Sequence, residues 1–297
     1  MPQMTKRMKI LSSWRHFDTA SLYGSEKSLG DAITEALRLG LITSREDLFI
    51  TSNFLWASFG HYNPHLVIPA LQKSLRTLQI AYLDLYLVHW PISAKPVEKY
   101  VYPIPKEELL PGPDYYHWTS RLCGKHGRVS ETWSHLSPSV SATSLCKKLK
   151  TILSLATIPP SVNQVEINPI WQQRKLVELC KAKGIIITAF SPLGAKGTSW
   201  GTNQVTDNEA LKHIAKAHGK TVVQVSLRWI IEQGATAVVK SFNRKRMKEN
   251  LEIFDWALTD EDYEKINQIP QHRLFNDDFV FPHGAFKNVE ELWDDEY

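Results

Sequence analysis

A chain of 297 residues and 34.0 kDa has room for one or two domains, or for a single barrel of about 250 residues. Its 43% apolar and 22% charged residues exclude a disordered tail or a collagen-like fibre. Lys and Arg number 35 against 31 Asp and Glu, and this net +4 does not by itself argue for nucleic acid, though it would suit an anionic small molecule. Three cysteines, Cys123, Cys146 and Cys180, make no disulfide framework and point to a reducing compartment. No apolar run approaches the ~18 residues of a membrane helix. The opening MPQMTKRMKILSSWRHF is basic but lacks the apolar core of a signal peptide, so a cytosolic location is expected, with a transit peptide as the alternative.

In chain order, six short segments read as strands: Arg15–Ala20, Leu48–Ser52, Leu83–Trp90, Ser161–Asn168, Ile185–Ser191 and Ala237–Phe242. Most are rich in β-branched and aromatic residues, as in strands buried on both faces. Amphipathic patterns between them predict helices over Glu26–Leu39, Pro64–Leu78, Gln172–Lys183, Asn208–Ala217, Val222–Glu232 and Lys245–Phe254. Thr221 with Gln224, and Thr259 with Asp262, form capping boxes. This alternation builds right-handed βαβ units around a parallel sheet, either open and doubly wound or closed as an eight-stranded barrel. Against eight strands, two gaps appear: one before Asp18, and one in the 72 residues from His89 to Ser161. Within the second gap, Tyr116–Ser144 has ten Ser or Thr among 29 residues and neither strand nor helix periodicity. A structureless loop of that length is uncommon in a compact domain.

Side chains at the carboxyl ends of parallel strands converge on one mouth. Asp18 ends the first strand, Tyr23 follows in a polar turn, and His89 ends LDLYLVH. An acid, a phenol and an imidazole so placed can transfer protons. Taken singly, each has an ordinary alternative: a strand-end hydrogen-bond partner, a packed turn residue, a structural histidine. Lys240 and Ser241 end the last strand and Arg244, Lys245, Arg246 and Lys248 follow, which reads as an anion site or as a solvated basic face. There is no GxGxxG after a strand, no P-loop, no HExxH and no paired-cysteine metal pattern.

The strings HFDTASLYGSEKSLGDAI, LQKSLRTLQIAYLDLYLVHWPIS, SVNQVEINPIWQQ, AFSPLGAKGTSWG and VVKSFNRKRMKENLEIFDW resemble, in order and spacing, the aldo-keto reductase family, and in particular its plant group of chalcone and codeinone reductases. The resemblance runs from about Arg15 to Tyr297, Tyr116–Ser144 excepted. It implies an α/β fold of the (β/α)8 TIM-type barrel, NADPH as cofactor, and a small-molecule ketone or aldehyde as substrate. It further implies a monomer with no metal, nucleic-acid or membrane partner. Tyr23 would be the general acid, His89 would orient the carbonyl, and Asp18 would tune the tyrosine, whose ordinary pKa near 10 needs such help. Gln164 would hold the nicotinamide carboxamide, Phe190 would stack on its ring in place of a usual tyrosine, and Ser191, Pro192 and Leu193 would line the pyrophosphate. Lys240, Ser241, Phe242, Arg246, Glu249 and Asn250 would form the 2′-phosphate pocket. Trp56 and Trp90 would line the substrate pocket, and residues 271–297 would form the C-terminal loop over the mouth.

Three departures set this chain apart. The family's TSK-L-W pattern becomes Thr51-Ser52-Asn53-Phe54-Leu55-Trp56, so a neutral amide at Asn53 replaces the ammonium beside the tyrosine. The atypical stretch 1–14 does not resemble the family's hairpin and first strand. Residues 116–144 stand where a helix and the fifth strand belong, so the barrel of residues 15–270 is expected to be incomplete, its first strand absent and its fifth scrambled. A displaced reading frame accounts for that stretch. With synonymous codons chosen to suit, His126–His135 read one base later give Met-Glu-Glu-Cys-Leu-Lys-Leu-Gly-Leu-Thr, and Ser139–Ser144 read two bases later give Gly-Val-Ser-Asn-Phe. The sequence therefore supports an NADPH-dependent reductase by descent, and alternatively an inactive remnant from a pseudogene or faulty gene model. A cofactor-binding scaffold or sensor is a third reading.

Overall fold

A computed structural model describes residues 14–54, 67–89, 145–156, 158–198, 201–274 and 288–293. These residues fall into two compact units, one carrying the first three strands and one the last three.

In the first unit, β1 (His16–Asp18), β2 (Phe49–Phe54) and β3 (Leu85–Val88) form a parallel sheet in that order. The register sets Asp18 against Thr51 and Asn53 against Leu87, so three strand ends lie side by side. Helix α1 (Glu26–Arg38) links β1 to β2, and α2 (Val67–Leu78) precedes β3. Along α1 the buried positions are Glu26, Gly30, Ile33 and Ala36, one stripe at helical spacing. Ile33 and Ala36 join Ile50 of β2 and Leu71, Leu75 and Leu78 of α2 in the core. Gly30 lets the helices touch: a Cβ there would lie 2.3 Å from the Leu78 carbonyl oxygen. At the other end of α1, Gly40 (φ 67°) allows Leu41 N–H to reach back to Ala36 O at 2.9 Å, closing the helix.

In the second unit, β4 (Val162–Glu166), β5 (Ile186–Phe190) and β6 (Thr236–Ala237) are again parallel and adjacent in order. Earlier in the chain, α3 (Cys146–Leu155), which from Lys148 onward belongs to the first unit, buries Lys148, Leu149 and Ile152. Helix α4 (Arg174–Ala182) connects β4 to β5. A short α5 (Gln204–Asp207), then α6 (Glu209–His218) and α7 (Val222–Glu232), lead to β6. Asn208 caps α6 by accepting from Leu211 N–H, and Thr221 and Gln224 form the expected capping box of α7. The chain continues through α8 (Arg244–Glu249), α9 (Asp260–Asn267), which has the Thr259–Asp262 box, and α10 (Val289–Trp293).

Most strands and several helices are shorter at their ends than their patterns predict, and the last strand and the helix after it show why. The strand expected over Ala237–Phe242 ends at Ala237. Val238 N–H still reaches Ala189 O at 3.0 Å, but β5 stops at Phe190 and Ser191 turns away at φ 49°, which leaves no parallel backbone to continue the ladder. The helix expected over Lys245–Phe254 starts one residue earlier, because Asn243 accepts from Arg246 N–H as its cap, and it stops at Glu249. Beyond it, Leu251 and Glu252 N–H groups make three-residue turns, while Gln224 Nε2 donates to Glu249 O and Arg228 Nη1 to Ile253 O. Side chains of α7 thus take up carbonyls that further helix would have used. Residues 1–13 and 116–144, on which the absent first strand and scrambled fifth strand were expected, lie outside the described residues.

Candidate active site

The first unit brings together the strand ends that the sequence singles out. After β1, Thr19 and Ala20 lead into a 3-10 turn, Ser21–Tyr23, and Gly24 at φ 62° redirects the chain into α1. A left-handed backbone at that point favours glycine. The turn presents Tyr23 to solvent, 55% exposed. His89 follows β3 and is buried. Tyr23 Oη lies 3.2 Å from His89 Nε2, and the two rings meet edge to face, centroids 5.4 Å apart. Burial pushes the His89 pKa down to about 4, so the imidazole is neutral near pH 7. Asp18 closes β1, half-buried and opposite Thr51. Trp56 and Trp90 lie outside the described residues.

Asn53, at the site of the expected lysine, is 1% exposed and faces inward. Its Nδ2 donates to Thr19 O at 2.9 Å, while its Oδ1 is buried without a partner. Beside it, Ser52 Oγ donates to Glu26 Oε1 at 2.8 Å, and both residues are buried. Motif reading passes over Thr19, Glu26 and Ser52. The available signal was a carboxylate in the first turn of a helix, three residues after the tyrosine, where it would otherwise be solvated.

In the second unit, Gln164 sits in β4 opposite Thr188, nearly buried, and Phe190 ends β5 opposite Glu166, half-buried. The loop after β5 is held on both sides. Asn168 Nδ2 donates to Ser191 O at 3.4 Å, Ser226 Oγ to Pro192 O at 3.1 Å, and Gly194 N–H to Ser191 O at 3.1 Å. Leu193 is half-buried within it. Lys240 and Arg246 are exposed, Ser241 Oγ accepts from Asn243 N–H at 3.2 Å, and Phe242 is 86% exposed with Lys240 Nζ 5.4 Å from its ring centroid. Glu249 pairs with Lys245 at 3.7 Å, and Asn250 is buried. Among the described residues there is no cluster of His, Cys, Asp or Glu able to hold a metal ion, and no helix long and apolar enough to cross a membrane.

The sequence profile of the aldo/keto reductase family matches residues 10–271. A (1S)-1,7-diacetoxy-luvungin A aldo-keto reductase from Citrus sinensis is 51% identical over 290 residues, 97% of this chain and 87% of that one. An NADPH-dependent codeinone reductase from Papaver somniferum is 52% identical over 283 residues, 95% and 85% of the two chains. Among solved structures, an aldo-keto reductase from Bombyx mori in complex with NADP superposes with a TM-score of 0.77 at 32% identity, covering 91% of this chain and 83% of that one. This chain belongs to the aldo/keto reductase family, oxidoreductases that use NADPH and have the (β/α)8 barrel as their fold class. The second unit fits that cofactor chemically. A carboxamide (Gln164) can match a carboxamide, a half-buried phenyl ring (Phe190) offers a stacking face, and exposed cations (Lys240, Arg246) suit a phosphate.

Proposed function

We propose that this chain reduces a small-molecule ketone or aldehyde to an alcohol, with NADPH as reductant and Tyr23 as proton donor. The observation that carries the reading is the pairing of an exposed phenol with a buried, neutral imidazole 3.2 Å away. A carbonyl oxygen placed between them takes a hydrogen bond from His89 Nε2–H, which fixes its orientation. Tyr23 then gives that oxygen its proton, and its exposure lets water replace the proton afterwards. Asp18 tunes this group from the end of β1. NADPH, when bound, supplies the hydride to the carbonyl carbon. Gln164 and Phe190 hold and stack the nicotinamide, Ser191, Pro192 and Leu193 border the pyrophosphate, and Lys240, Ser241, Phe242, Arg246, Glu249 and Asn250 receive the 2′-phosphate. Trp56, Trp90 and the tail 271–297 shape the substrate pocket. In this reading residues 15–270 are one barrel domain of a cytosolic monomer, and the likeness to a codeinone reductase and a 6′-deoxychalcone synthase points to plant secondary metabolism. The test is NADPH oxidation at 340 nm by the purified chain with 4-nitrobenzaldehyde. Turnover that falls at least 10²-fold in Tyr23→Phe supports the assignment, and an unchanged rate in that variant rejects it.

The neutral Asn53 favours a second reading, a catalytically impaired remnant whose barrel is incomplete at residues 1–14 and 116–144. Its carboxamide is committed to Thr19 O and brings no charge to the strand end. Sequencing the transcript across Met1–Arg15, Thr51–Trp56 and Tyr116–Ser144 separates the two. A lysine codon near position 53 and an unbroken Gly-Val-Ser-Asn-Phe strand assign the departures to the gene reading, and agreement with the present sequence assigns them to the protein.

A further inference from the structure

We propose that Asn53, together with Ser52 and Glu26, is a positioning residue that clamps the Tyr23 turn onto the end of β2. The proposal rests on the reading of Tyr23 as proton donor. Five hydrogen bonds bracket a turn of only a few residues. Before it, Thr19 N–H donates to Thr51 O at 2.9 Å, and Asn53 Nδ2 donates to Thr19 O at 2.9 Å. Within it, Ser21 Oγ reaches Asn53 O at 3.4 Å. After it, Ser25 Oγ and Thr19 Oγ1 are 2.7 Å apart, and Ser52 Oγ donates to Glu26 Oε1 at 2.8 Å. Two consecutive residues of β2 therefore hold the two ends of the segment that carries an exposed phenol. Three of the polar side chains, Ser52, Asn53 and Glu26, are at most 6% exposed. Buried polar groups in a low-dielectric setting hold their partners tightly and cost most when one partner is removed.

The chemistry singles out one atom. Thr19 O has its donor only because position 53 carries an N–H, and the Asn53 Oδ1 takes no part. Asn53→Asp keeps the shape and deletes that donor. Glu26→Gln keeps an acceptor for Ser52, whereas Glu26→Ala removes it. Each acts at a distance from Tyr23 Oη, through the turn's backbone.

The test is amide hydrogen exchange on the full chain, read on the peptide spanning residues 19–25. A second readout is the ¹⁹F resonance of 3-fluorotyrosine at position 23, assigned by its loss in Tyr23→Phe. Asn53→Asp and Ser52→Ala are expected to speed exchange of residues 19–25 about tenfold or more, and to broaden or shift the Tyr23 resonance. Peptides from β3 and the second unit should keep wild-type exchange, and Glu26→Gln should keep wild-type behaviour throughout while Glu26→Ala does not. Wild-type exchange and an unmoved resonance in Asn53→Asp overturn the clamp, as does loss of protection spread over the whole chain in both Ser52→Ala and Glu26→Gln. An active Tyr23→Phe rejects the proton-donor reading instead, and leaves the exchange result to decide the clamp by itself.

Discussion

Tyr23 and His89 differ in exposure, and that difference makes their pairing useful. The phenol faces solvent, while the imidazole is walled in and held neutral. Neutrality has a stability consequence. The unfolded histidine takes up a proton near pH 6.5, whereas the folded one resists until about pH 4, so the unfolded state binds more protons between them. The contribution is complete above about pH 6.5 and declines as pH falls toward 4, by roughly 3 kcal/mol in all. Urea unfolding from pH 7 to pH 4.5 should show a steeper loss in wild type than in His89→Gln. At position 53, Asn53→Lys offers Thr19 O a new donor and also delivers a cation to the strand end. It should raise kcat with NADPH and an aryl aldehyde by about 10², and an unchanged kcat would mean that charge is not what the site lacks. Asp18, Tyr23 and His89 were all legible as strand-end groups. The work of Asn53 was not, because its partner is a backbone carbonyl of the loop after β1 and no side-chain motif encodes it.

Elements show where local signals suffice. The Thr221 and Thr259 boxes form as their spacing predicts, since each needs only residues three apart. Asp262 does more than cap. Burial works against its charge, but hydrogen bonds from Thr259 and from His218 Nε2 at 2.7 Å outweigh that and hold its carboxyl below the usual range. Thr259→Ala should therefore cost about 1 kcal/mol of stability, measured by denaturant unfolding. Gly30→Ala should cost more, about 1–3 kcal/mol, because the added methyl meets the Leu78 backbone and not a movable side chain. The failures are of the opposite kind. The run Ala237–Phe242 looks like a strand, yet of it only Ala237 lies in β6, because β5 turns off at Ser191. The α8 pattern persists to Phe254, yet the helix stops where Gln224 and Arg228 capture carbonyls from another element. Each depends on a partner distant in sequence, which periodicity cannot see.

For the molecule as a whole, the family assignment was carried by short strings at fixed spacing, and these survive even where Tyr116–Ser144 does not conform. The proposed division of labour, proton transfer at the ends of β1 to β3 and cofactor binding after β4 to β6, rests on which strand ends bear which chemistry. If Arg246 receives the 2′-phosphate, Arg246→Ala should raise KM for NADPH about tenfold or more and leave KM for NADH unchanged. NADPH-dependent reduction of 4-nitrobenzaldehyde by the purified wild-type chain beside Tyr23→Phe decides whether Tyr23 is the proton donor. Measurable turnover that falls at least 10²-fold in the variant is expected, while NADPH still quenches tryptophan fluorescence in both. Equal turnover in the two proteins, or a cooperatively folded wild type that binds NADPH and reduces nothing, would contradict that assignment.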